Sequence, residues 1–231
     1  MNEILSSFIK AFQLIVSLDR NLLEIIFLSL YVSGVAIVIA SISGIVCAYV
    51  LSFREFPVKG AFVNILNTFM GLPPVVVGLF LYLMLSRRGP LGFMGLLYTP
   101  SAMIIAQTVL AFPIIAAMSY SSITSVRPNI RLASLGLGAT EVQASIAVVK
   151  DARYGIISSV MAGLGRVMAE VGAVLIVGGN IAGYTRVMTT TIALEYDKGN
   201  FALAIALGII LLLISLGINS AMYLFQRRIY R

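Results

Sequence analysis

Five stretches of this chain are long and apolar enough to cross about 30 Å of hydrocarbon, which takes roughly 20 residues as a helix, and of these only the fourth contains charges, Arg166 and Glu170. They cover Ile25 to Phe53, Gly60 to Ser86, Thr99 to Tyr120 within Gly89 to Val126, Gly155 to Val177, and Phe201 to Gln226. In lipid, water cannot satisfy backbone N–H and C=O groups, so each stretch has to bond to itself as a helix. The expected fold is therefore all-α: a polytopic transmembrane helical bundle forming one domain over residues 1–231. With 60% hydrophobic and 11% charged residues and a mean hydropathy of +1.03, the composition fits that class and no soluble one.

Residues 1–21 differ. Ile4, Leu5, Phe8, Phe12, Ile15 and Val16 recur at helical spacing among Glu3, Lys10, Asp19 and Arg20, the pattern of a helix lying along the membrane interface. No basic start or A-x-A-like cleavage site marks a signal peptide there, and the segment is read as part of the mature protein.

The +7 charge has a membrane explanation. Basic residues beside apolar spans mark cytoplasmic loops and meet anionic lipid, and no basic run interleaved with aromatics offers the stacking surface that nucleic acid needs. If the 125–153 loop is cytoplasmic, that side carries Arg54, Lys59, Arg127, Arg131, Lys150, Arg153, Arg227, Arg228 and Arg231, against Lys10, Arg20, Arg87, Arg88, Arg186 and Lys198 on the other. The expected orientation is N-terminus outside and C-terminus cytoplasmic.

Catalytic chemistry has little to work with. The chain has no histidine and one cysteine, Cys47, in an apolar stretch, so Ser-His and Cys-His nucleophile pairs and the usual transition-metal sites are excluded. No Gly-x-x-x-x-Gly-Lys-Ser/Thr sequence is present to cradle ATP phosphates. No cofactor is expected.

The 125–153 loop is too long and too apolar for a plain connector. Pro128 is placed to open a short helix through Leu135, Gly136 and Gly138 supply a turn, and Thr140 with Gln143 forms a capping box that starts a second helix through Val149. Within it, Leu132-Ala133-Ser134-Leu135-Gly136-Leu137-Gly138-Ala139-Thr140 resembles the EAA loop of the permease subunits of bacterial ABC importers. Leu132 stands where that family often has glutamate, and Lys150-Asp151 where a Leu-Pro often closes the motif.

Further segments are similar to the molybdate, tungstate and sulfate permeases of that family. They are Leu164-Gly165-Arg166-Val167-Met168-Ala169-Glu170-Val171-Gly172-Ala173, then Asn180-Ile181-Ala182-Gly183-Tyr184-Thr185, with Pro73-Pro74 and Gly78 upstream and Arg88-Gly89-Pro90-Leu91-Gly92 after them. Arg186-Val187-Met188-Thr189-Thr190 looks most like the tungstate branch.

The resemblance implies an importer-type permease in a bacterial or archaeal plasma membrane, working as a homodimer with ABC ATPase subunits and an extracytoplasmic substrate-binding protein. It implies an oxyanion cargo: tungstate, or else molybdate, sulfate or phosphate. Leu132, Ala133, Ser134, Leu135, Gly136, Gly138, Ala139 and Thr140 would couple to the ATPase; Pro73, Pro74, Gly78, Arg166, Glu170, Asn180, Thr185 and Arg186 would line or gate the path.

Several of these residues admit plainer readings. Arg166 and Glu170, one helical turn apart, suit an internal ion pair as well as a position on the anion path. Pro73 and Pro74 suit a simple kink as well as a hinge. Arg87, Arg88 and Arg186 suit solvated charges as well as an anion-concentrating surface. A channel or secondary transporter, which needs no ATPase, is the alternative from another class.

Overall fold

The computed structural model describes residues 20–229, preceded by residues 9, 12, 13 and 16. Most of the interfacial helix expected over residues 1–21 therefore lies outside the described residues. Those described form helices and no strand. The helices are α1 (Arg20–Phe53), α2 (Lys59–Phe69), α3 (Pro74–Leu85), α4 (Pro100–Gly136), α5 (Glu141–Asp151), α6 (Arg153–Met168), α7 (Gly172–Gly178), α8 (Met188–Asp197) and α9 (Phe201–Ile229), with a 3₁₀ turn over Gly92–Met94.

Three helices are each long and apolar enough to cross a membrane: α1, α4 and α9. The pairs α2 with α3, bent by 106°, and α6 with α7, bent by 58°, pass the same test jointly, so the described residues hold up to five spans when each bent pair is one. The second span breaks rather than kinks. Pro73 lies at φ −65°, ψ 123° because a following proline disfavours the helical region, so α2 ends and Pro74 opens α3. The fourth expected span likewise stops at Met168 and restarts at Gly172.

Pro128 corrects a third expectation. It lies inside the continuous 37-residue α4 instead of starting a helix. Proline's fixed φ is compatible with a helix and removes only one donor. Packing carries the helix past it: Val126 and Ile130, flanking the proline, press on the core formed by Ala48, Ile123, Val148, Ala152 and Ile156.

Packing divides the chain into two compact units. The first comprises Met1–Val35, Pro73–Gln107 and Met168–Arg231; the second comprises Ala36–Leu72 and Thr108–Val167. In the first, Leu22, Met188 and Leu207 form a core backed by Ile25, Ile192, Leu203 and Ile210, and Met188 N–H donates to Ser29 Oγ at 2.7 Å. In the second, Ala40 and Ala48 are fully buried, and a Cβ on Gly44 would lie 3.0 Å from Ile115 Cγ2. The Ala40, Gly44, Ala48 stripe thus lets α1 approach its neighbour closely, as lipid-embedded helices require when hydrophobic burial does not drive association. Ile42 and Val46 on another face of α1, and Leu212, Leu213 and Leu216 on α9, point outward and are exposed, the reverse of a soluble protein's pattern.

Candidate coupling elbow and path-lining elements

The expected coupling segment forms an elbow built from two backbone motifs in direct succession, all within the second unit. At the end of α4, Ala139 N–H donates to Ser134 O (3.1 Å) and Gly138 N–H to Leu135 O (3.0 Å), with Gly138 at φ +84°. This is a Schellman termination, and the positive φ explains why glycine stands there. One residue on, Thr140 Oγ1 accepts from Gln143 N–H (3.3 Å) while Thr140 N–H donates to Gln143 Oε1 (2.8 Å), the capping box expected from the sequence.

Two further constraints fix the angle. Arg131 grips Glu141 through Nη2–Oε1 at 2.5 Å and Nε–Oε2 at 3.2 Å, bridging α4 to α5 across the turn. Ala144 and Val148 bury one face of α5. Thr140→Ala is expected to cost about 1 kcal/mol, the usual value of a lost N-cap. Faster proteolytic cutting in the elbow with the membrane spans intact is the measurement that checks it.

The elbow's outer surface is apolar. Leu132, Leu137, Val142 and Ile146 are 68%, 90%, 68% and 61% exposed. Ala133, Gly136, Gly138 and Thr140 are also exposed, while Ser134, Leu135 and Ala139 are half-buried. Leu137, Val142 and Ile146 are not among the residues that the resemblance assigns to coupling. Their signals were a leucine between two turn glycines, where a polar residue is usual, and a Val-x-x-x-Ile pair out of phase with the Ala144, Val148 core face.

Nearby, Glu55 in the α1–α2 loop pairs with Lys59 (2.9 Å) and Arg127 (3.7 Å). The Lys59 hydrogen bond and charge hold the Glu55 carboxyl below its ordinary range, with Arg127 adding to the effect.

The residues assigned to the path fall into separate groups. The helix α6 ends at Met168, between Arg166 and Glu170, and each of the two bonds within its own unit. Arg166 Nη2 donates to Leu72 O at 3.1 Å, capping a carbonyl at the break before Pro73 and Pro74. Arg166→Ala strips that carbonyl of its donor and is expected to cost about 1–3 kcal/mol, the penalty of a partly buried unsatisfied group, read as a lower unfolding temperature in detergent.

In the first unit, buried Glu170 accepts from Ala173 N–H at 2.9 Å through Oε1, and its backbone carbonyl accepts from Thr189 Oγ1 at 2.8 Å. Gly78 lies in α3 against α7: a Cβ there would stand 2.8 Å from Ala173 Cα. Beyond α7 the chain folds into a tight knot. Asn180, at φ +50°, accepts at Oδ1 from Thr190 Oγ1 (2.9 Å). Buried Thr185 donates to Gly178 O (2.6 Å) and accepts from Ile181 N–H (2.9 Å). Arg186 Nη2 reaches Asn180 O at 3.4 Å.

Asn180 and Thr185 thus shape the backbone of this loop, which the residue types alone did not reveal. Close by, Glu195 is held below the ordinary carboxylate range, first by its hydrogen bond from Lys198 (3.0 Å) against the opposing effect of burial, then by Asn200 (2.8 Å). Among the described residues no group of three or more His, Cys, Asp or Glu side chains could hold a metal.

Helices interrupted at Pro73 and at Ala169, together with a capped elbow between α4 and α5, define a membrane-embedded helical bundle. Residues 36–231 match the family of binding-protein-dependent transport system inner membrane components, and the chain belongs to that family. It is a multi-pass membrane protein. It is similar to a probable anion ABC transporter permease protein of Haloferax volcanii, at 44% identity over 86% of this chain and 88% of that one. It is 42% identical to the tungstate uptake system permease protein TupB of Peptoclostridium acidaminophilum, over 98% of this chain and 99% of its relative. The Campylobacter jejuni protein of the same name is 36% identical over 95% and 92% of the two chains. A crystal structure of an amino acid ABC transporter shares the fold, with a TM-score of 0.67, 17% identity and 92% coverage of this chain.

Proposed function

We propose that this chain is the membrane subunit of an ATP-driven importer and forms the translocation path for an oxyanion, tungstate above molybdate, sulfate or phosphate. Two copies assemble with two ATPase subunits on the cytoplasmic side, and an extracytoplasmic binding protein delivers the anion. The N-terminus lies outside and the C-terminus inside. The observation that carries this reading is the elbow: a doubly capped turn that leaves Leu132, Leu137, Val142 and Ile146 exposed although α5 already has a buried face. Exposed apolar side chains on a braced scaffold suit a protein partner. The tungstate reading is supported by the relatives at 42% and 36% identity.

In this mechanism, closure of the ATPases pushes the elbow, and the push travels along α4, which is continuous from the elbow to Pro100. The breaks at Pro73 and at Ala169 are the points where spans can re-angle without bending a helix. Arg166, braced on Leu72 O, holds the first break; Glu170, braced on Ala173 N–H, holds the second.

The test is uptake into proteoliposomes containing the permease and its ATPase, with the binding protein added outside. Tungstate should accumulate only with internal ATP, and sulfate and phosphate at least about tenfold more slowly. Flux that needs no ATP would replace this reading with the channel or secondary-transporter alternative, and faster phosphate uptake would overturn the cargo.

A further inference from the structure

We infer that the junction of α5 and α6 holds the headgroup phosphate of an anionic phospholipid. A cavity of about 250 Å³ opens there, lined by Ile130, Ala147, Lys150, Asp151, Arg153 and Tyr154. Arg153 is held in a fixed pose: Nη2 donates to the Tyr154 hydroxyl at 2.8 Å, and the guanidinium carbon lies 4.8 Å from the centre of the Tyr154 ring. That pose leaves Nε buried with no acceptor. A buried guanidinium N–H without a partner is costly, so a turn of the side chain that brings Nε–H out toward an acceptor in the cavity is favoured, and the planar fork of donors then matches phosphate oxygens.

Lys150 adds a second cation at the last turn of α5, so two positive groups face the single carboxylate of Asp151. A second cavity, beside Arg127 and Arg131, is different: those arginines already bond Glu55 and Glu141, whereas among the described residues no carboxylate forms an ion pair with Lys150 or Arg153. The α5–α6 site keeps an excess positive charge.

A lipid suits the site better than a soluble anion because of its position. Arg153 and Tyr154 open α6, the first helix of a broken apolar span, so the cavity sits where the chain enters the bilayer. Ile130 and Ala147 give it an apolar wall against which a glycerol backbone can lie. Each Lys or Arg close to an anionic leaflet is worth about 1 kcal/mol, or roughly fivefold in affinity, and this site, resting on the proposed cytoplasmic placement of the elbow, sets two of them around one headgroup. The inference does not depend on which anion is transported.

Native mass spectrometry of the full chain in detergent, titrated with phosphatidylglycerol, phosphatidylcholine or inorganic phosphate, tests it. Phosphatidylglycerol should be retained in preference to phosphatidylcholine. The Lys150→Gln/Arg153→Gln double variant should weaken phosphatidylglycerol binding roughly 25-fold, the product of the two single-charge effects. Arg54→Gln, which removes an exposed cation elsewhere in the same unit, should leave binding unchanged. If the double variant does not fold, Lys150→Gln alone, on an exposed side chain, should show a loss of about fivefold. Undiminished binding in the Lys150→Gln variants overturns the inference, as does an equal loss in Arg54→Gln. Equal occupancy by inorganic phosphate overturns the lipid as its source.

Discussion

Gly78→Ala should destabilise this protein by about 1–3 kcal/mol and abolish transport, whereas Gly208→Ala should be neutral or stabilise it by about 0.5–1 kcal/mol. The two substitutions are chemically identical and both lie in apolar helices of the first unit. At Gly208 no atom lies within 4 Å of the added methyl, so only the gain in helix propensity remains. At Gly78 the methyl meets Ala173 Cα at 2.8 Å, and Ile176 Cδ1 and Cβ stand at 3.1 and 3.2 Å. A side chain could rotate away; a backbone atom cannot, so α3 and α7 must separate. Thermal unfolding of both variants in detergent, with uptake measured in parallel, checks the pair. A more stable Gly78→Ala would show that the two helices do not approach as described.

Leu137→Arg combined with Ile146→Arg should leave unfolding unchanged and reduce transport by more than a hundredfold. Both side chains are mostly exposed, so the fold loses almost nothing when they become charged. An anchor lost from the centre of an interface costs on the order of 2 kcal/mol, or roughly 30-fold, and two such losses at one surface exceed a hundredfold even when they fall short of additive. Co-purification with the ATPase and ATP-driven uptake should fall together. If both survive, the elbow is not where the driving subunit docks. Thr140→Ala, which loosens the same turn while keeping its apolar surface, should cause a smaller loss.

Much of the architecture was legible because a bilayer admits few solutions. Long apolar stretches had to be helices, and their approximate limits followed from where charge reappears, as at Arg54, Arg87 and Arg127. The elbow was legible for a local reason: Gly138 and the Thr140–Gln143 pair act on backbone groups within five residues, so their geometry is written in adjacent positions. Pro128 misled because its effect is not local. Whether a proline starts a helix or rides inside one depends on what holds the segment, here contacts of Val126 and Ile130 with residues as distant as Ala48 and Ile156.

The path residues were harder for the same reason. Arg166 and Glu170 at i and i+4 suggested an ion pair, but that spacing has meaning only within an unbroken helix. The partners they have, Leu72 O and Ala173 N–H, are backbone atoms that carry no mark in the sequence.

The sequence by itself determined that this chain is a bundle of membrane-spanning helices with a capped turn between two of them, because hydrocarbon and helix ends impose rules on neighbouring residues. Only the tertiary structure decided where the spans break, which face of α5 is left exposed, and which carbonyl Arg166 satisfies. Those outcomes depend on the approach of segments far apart in the chain, as with Leu72 and Arg166, which are 94 residues apart, and hydropathy and spacing do not encode such distances.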